Sequence, residues 1–147
     1  RVGGELDWGL LESHWHRGVQ ACARDLNVLY RDTPALHELD FDAAGFQWID
    51  CHDADQSVIS WIRRDRHGGF VVIAANFTPV PRSPYRIGVP RPGAYRELLN
   101  TDSSFYGGSN QGNGEGLLTE SREWMGHGQS LVLTLPPLGL VVLAPAA

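Results

Sequence analysis

Between Asn100 and Gly116 the sequence reads NTDSSFYGGSNQGNGEG, with five glycines, three asparagines and two aromatics. Such a stretch can cradle a phosphate, ligate a metal, hold a sugar or simply join two strands. A phosphate-binding loop needs a lysine directly after its second glycine, to meet the phosphate charge. Gly107 and Gly112 have the spacing, but Asn113 occupies the lysine position. The dinucleotide fingerprint fails as well, because Gly112-Asn113-Gly114-Glu115-Gly116 has the wrong last interval and no helical periodicity follows at once. A calcium loop opening at Asp102 places Ser104 and Tyr106 where oxygen-rich ligands are required. What remains is a long connection in a β domain.

The other reactive residue types form no complete active site. His14 and His16 could chelate a metal from an extended segment, yet no third ligand has matching spacing. His52 and His67 fall at expected turns, where a solvated imidazole is ordinary. Cys22 lies on a helical apolar stripe, and no serine has a nucleophile-elbow context. Asp40, Asp42, Asp50, Asp53 and Asp55 could pair for glycosidic chemistry if held about 5 Å apart. Their position at a helix-to-sheet junction and a hairpin turn favours caps and solvated acids instead. Neither a metal nor a cofactor is expected. Aromatic residues make up 10% of the chain, and a flat ring can stack on the apolar face of a sugar. Trp48 stands just after the helix-to-sheet switch, where its ring could face a cleft; core packing is the competing use.

The elements that would position these residues change type near Asp40. Val19, Cys22, Ala23, Leu26, Leu29 and Tyr30 recur at helical steps, with Arg17, Gln20, Arg24 and Arg31 off the stripe. Leu6, Leu10 and Leu11 suggest another helical turn or two near the start. Thr33-Pro34 reads as an N-cap and first-turn proline opening a short helix through Leu39. After Gly45, strands are expected at Phe46–Cys51, Ser57–Arg64, Phe70–Phe77, Tyr85–Val89, Tyr95–Leu99, Leu131–Leu135 and Leu138–Leu143, separated by turn-forming sequences. FVVIAANF has no polar face before Asn76, which marks a central strand covered on both sides. Strands at this spacing predict a mainly β fold, an antiparallel sandwich. The helical stripe needs cover from the sheet or from a partner outside the chain. The start at Arg1, without Met, favours the partner and a piece of something longer.

Composition narrows the function classes. A formal charge of -5 argues against nucleic acid, which calls for a basic patch. No apolar run is long enough to span a membrane, and LPPLGLVVLAPAA is broken by prolines. Cys22 and Cys51 have no metal-like spacing and read as two buried free thiols of a cytoplasmic protein, with a single disulfide of a secreted domain as the alternative. The sequon at Asn76-Phe77-Thr78 follows a strand-like run and is read as chance.

Several short motifs occur in a fixed order: ELDW (Glu5 to Trp8), HELDF (His37 to Phe41), GFQWI (Gly45 to Ile49), NFTPVPR (Asn76 to Arg82), YRIGVP (Tyr85 to Pro90), YRELLNTDS (Tyr95 to Ser103) and YGGSNQGN (Tyr106 to Asn113). In this order they closely resemble the C-terminal end of bacterial glycogen branching enzymes, across essentially the whole chain. One departure is Ala43-Ala44, where members often carry proline. The resemblance implies a larger enzyme of the α-amylase superfamily with a central (β/α)8 barrel and a C-terminal β-sandwich. Residues 1–42 would then be the last helices of the barrel region and residues 43–147 the sandwich. It implies transfer of cut α-1,4-glucan segments to a 6-hydroxyl, by a retaining mechanism with a carboxylate nucleophile and a carboxyl acid/base. Those carboxylates belong to barrel motifs without a match here, so no catalytic residue is carried over and the chain alone is expected to be inactive. Its expected partners are α-glucan and the rest of the barrel, with Trp48 and Tyr106 as candidate glucan contacts. A stand-alone carbohydrate-binding sandwich and a trehalose-releasing hydrolase relative are the competing readings.

Overall fold

A computed structural model describes residues 3–114 and 116–146. Arg1, Glu115 and the last residue of the expected 43–147 unit lie outside the described residues. Asp7 accepts from the Gly9 amide and starts a 3-10 turn over Trp8–Glu12. Helix α1 follows at His14–Asp32. The short helix expected after Thr33 is a 3-10 turn at Pro34–Leu36, and the Thr33 side chain makes no cap hydrogen bond there. Among the described residues one α-helix therefore stands where several short ones are expected.

Among the described residues eight strands follow: β1 (Phe46–Asp53), β2 (Val58–Arg64), β3 (Phe70–Asn76), β4 (Arg82–Val89), β5 (Ala94–Asn100), β6 (Leu117–Leu118), β7 (Gln129–Leu135) and β8 (Gly139–Pro145). All pairings are antiparallel: β1-β2-β3-β8-β5-β6 form one sheet and β4-β7 a second. The two-residue β6, inside a glycine-rich region, carries too little periodicity to be legible in sequence.

The main core lies between the sheets. Val58 and Ile62 of β2, Val72 and Ala74 of β3, and Val141 and Leu143 of β8 meet Tyr85, Ile87 and Val89 of β4 and Leu131, Leu133 and Leu135 of β7. Alternation in β4 and β7 thus has the consequence expected of a pleated strand with one buried face. Each such fully buried Val or Leu contributes about 1.5–3 kcal/mol of transfer free energy. Strand β3 is buried at every position and central in its sheet, as its unbroken apolar run requires. Its other face, Val71 and Ile73, joins Leu99, Val142 and Ala35 in a second cluster, against which Leu29 of α1 and Leu36 pack.

A register shift between Glu97 and Leu99 lets β5 serve both cores. Tyr95 enters the main core, whereas Leu98 and Leu99 turn to the second. Asn76 is buried, with its side-chain amide on the Val80 and Pro136 carbonyls, so its sequon is not accessible.

Candidate functional site

The face of the six-stranded sheet that bears the second cluster is only partly covered. Strand β1 forms one edge, and its alternation sends Phe46 and Trp48 to this face. Their rings meet edge to face, with centroids 4.9 Å apart. Trp48 opposes Trp61 of β2 directly in register, and those rings are 6.2 Å apart at 74°. Phe46 and Trp48 remain 40% and 49% exposed, which is unusual for rings of this size beside a core. Trp61 separates two apolar grooves. One, of about 320 Å3, runs between Leu26, Leu29 and Tyr30 of α1 and Ile73, Leu140 and Val142 of the sheet. The other, of about 400 Å3, is lined by Trp61, Phe77, Leu138 and Leu140. Rings packed edge to face present stiff apolar surfaces that can stack on a sugar or receive an apolar partner.

Helix α1 is mounted on this face from both ends. Gly18 faces the carbonyl of Tyr106 so closely that a Cβ would overlap it. The Tyr106 hydroxyl donates to Asp25 Oδ2 at 2.9 Å, about two helical turns further on. Gly107, at φ +86°, reverses the chain beneath the Trp15 ring. At the other end Tyr30 donates to Asp40 Oδ2 at 3.1 Å, and Arg63 pairs with Asp40 Oδ1 while its Nε reaches the Gly45 carbonyl. The Tyr106 and Arg63 hydrogen bonds hold the Asp25 and Asp40 carboxyls below their usual range. Burial, assisted by Asp25, pushes the Tyr106 hydroxyl up to about 12.

The glycine-rich loop is built by its own polar side chains. Asp102 accepts from the amides of Ser109 and Gln111 and from the Ser109 hydroxyl. Burial works against its charge, yet these donors keep its carboxyl below the ordinary range. Asn100 accepts from Asp102 N and donates to the Gln111 carbonyl. Asn113 pairs with both backbone groups of Thr134 on β7 and donates to Glu97 Oε2 at 2.8 Å. These groups are engaged within the protein, which suits a structural clip.

The remaining sequence candidates disperse. His14 and His16 lie on helix α1 rather than an extended segment, so two residues of separation turn them to different faces, and the His14 ring lies 4.2 Å from that of Trp15, tilted by 40°. Cys22 is half-buried and Cys51 exposed, correcting the expectation of two buried thiols; both are free. Asp42 caps a 3-10 turn, Asp50 accepts from the His52 amide, and Asp53 accepts from Gln56 and the Tyr85 hydroxyl. Of the two aromatics at the loop tip, Phe105 is 88% exposed and Tyr106 is the anchor. The Phe46–Trp48–Trp61 array is not legible from sequence, because it depends on the register of β1 against β2 and on β1 being an edge. The one signal available is the spacing of Phe46 and Trp48 at i and i+2.

Residues 48–146 match the family of α-amylase C-terminal all-beta domains, and the chain belongs to that family. Its resemblance to particular relatives extends further, through α1. It is 61% identical over 144 residues to the 1,4-alpha-glucan branching enzyme GlgB of Methylobacillus flagellatus, covering 98% of this chain and 20% of that protein. The proteins of the same name from Dechloromonas aromatica and Methylococcus capsulatus are 57% and 60% identical over 96% and 97% of the chain, which covers 23% and 19% of them. The chain thus spans about a fifth of the length of these curated relatives.

Proposed function

We propose that this chain is the C-terminal part of a 1,4-α-glucan branching enzyme, which cuts an α-1,4-glucan and transfers the segment to a 6-hydroxyl. The observation that carries the reading is identity above half across nearly the whole chain to three such enzymes, including the helical segment before the family domain. Residues 1–42 then supply the last helix of the catalytic barrel and residues 43–147 the sandwich that seats it. Val19 is 70% exposed, and Trp8, Leu10, Trp15 and Tyr30 are exposed too. An apolar stripe of this extent suits contact with the preceding barrel, and it counts against a stand-alone carbohydrate-binding module. Helix α1 uses Leu29 on the sheet and leaves the rest of its stripe for that partner. The free thiols suit a reducing compartment, consistent with the cytoplasm. Among the described residues no helix is long and apolar enough to cross a membrane.

The sandwich supports the glucan as well as the barrel. Trp48, braced by Phe46 and Trp61, offers the exposed ring face that a sugar needs. Tyr106 has its hydroxyl and carbonyl engaged by α1, so a contact there rests on its ring alone. Replacing Trp48 with Ala tests the assignment. Maltooligosaccharide affinity of the folded protein should fall about tenfold, the scale of one lost stacking contact. Unchanged affinity removes the role from Trp48.

A further inference from the structure

The loop contains the one Asn-Gly dipeptide of the sequence, Asn113-Gly114. Asparagine before glycine is the pair most prone to spontaneous loss of ammonia, because the next amide nitrogen is unshielded by a side chain. The nitrogen of Gly114 attacks Cγ of Asn113, ammonia leaves, and water opens the cyclic imide to aspartate or isoaspartate. Water is the only co-reactant, and no oxidation occurs.

The fold opposes the first step. The Asn113 amide is fixed from both sides: Nδ2 donates to Glu97 Oε2 at 2.8 Å and to the Thr134 carbonyl at 3.1 Å, while Oδ1 accepts from Thr134 N at 2.8 Å. Asn113 N also donates to Glu97 Oε2 at 3.3 Å. For Cγ to swing onto the Gly114 nitrogen, these bonds must break together. The fold equally opposes the product. An aspartate would replace Nδ2 by an oxygen facing the Glu97 carboxylate and the Thr134 carbonyl, both acceptors. Like charges at hydrogen-bond distance, partly buried, cannot both keep that position. Isoaspartate adds a methylene to the backbone as well. Either product releases the loop from β7, and Tyr106, which holds α1, lies on the released segment.

We propose that Asn113-Gly114 is a spontaneous deamidation site guarded by the fold, and that its conversion unfastens the glycine-rich loop from the sandwich. The inference stands on Glu97, Asn113 and Thr134 and is independent of the glucan assignment. The test uses the intact protein at fixed neutral pH, with and without denaturant, and follows Asn113 by peptide mass mapping beside Asn27 and Asn110. Conversion at Asn113 should be at least about tenfold slower in the folded protein, because it requires local opening. Asn113→Asp should raise protease cleavage within residues 101–118, and the double substitution Glu97→Gln with Asn113→Asp should lower it again by removing the charge conflict. Equal conversion rates in folded and unfolded protein overturn the proposal. So does an Asn113→Asp loop as resistant as the parent, or a double variant no better than the single one. If Asn113→Asp fails to fold, folding of the double variant supports the proposal and its failure overturns it.

Discussion

The hydroxyl of Tyr106 donates to Asp25 across 2.9 Å, joining the glycine-rich loop to the middle of helix α1. About two turns earlier, Gly18 lets the same tyrosine's carbonyl lie against the helix backbone. Close approach needs both partners: a residue without Cβ on the helix, and a loop held rigid by Asp102 and Asn100. The outcome of this geometry is a helix held against the loop that leads out of β5.

Gly18→Ala is expected to destabilise the protein despite improving helix propensity. Alanine in place of glycine gains about 1 kcal/mol in a helix interior, whereas forcing a methyl into the Tyr106 carbonyl costs about 1–3 kcal/mol. Denaturant unfolding of the two forms measures the net loss. A more stable alanine variant contradicts the close contact.

Tyr106 predicts an alkaline weakness. Its folded pKa is about 12 against an ordinary value of 10.0, so the unfolded chain ionises first. The stabilisation is complete below pH 10 and is lost as pH rises toward 12. Burial pushes Tyr85 upward too, and Tyr95 likewise, so the informative quantity is the difference between the parent and Tyr106→Phe. The phenylalanine variant should lose stability less steeply over that interval. Parallel curves for the two proteins would contradict the role given to this hydroxyl.

The Asp40 node makes the opposite prediction at acid pH. Its carboxyl is held low first by Arg63, with Tyr30 assisting and burial opposing. A depressed carboxylate stabilises above its ordinary pKa, 3.8, and the benefit disappears as pH falls through the folded value. Asp40→Asn should flatten the acid limb of stability against pH. In a double-mutant cycle with Arg63→Gln the two losses should be non-additive, since both break one contact.

Much of the fold is legible in the sequence for identifiable reasons. Phe70 to Asn76 reads as a central strand because no polar side chain could face water, and Tyr85 to Val89 alternates because one face meets the core. The edges are less legible. Nothing local to Phe46 and Trp48 says that their strand has no outer neighbour, so their exposure and their meeting with Trp61 require the tertiary register. Asp40 and Arg63 are 23 positions apart, and their pairing depends on how the segment between α1 and β1 crosses β2. The glycine-rich loop is legible by exclusion only: spacing removes nucleotide and calcium, but not the specific task of Tyr106 or Asn113.

If this chain completes a branching enzyme without containing its reaction, as proposed above, the full-length protein and the chain alone must differ in activity. Proton NMR of amylose, incubated with the full-length protein and separately with the 147-residue chain, measures that difference. New α-1,6 anomeric signals should appear with the full-length protein and not with the chain alone. Branching by the chain alone, or release of free sugar without branches by the full-length protein, would contradict the account.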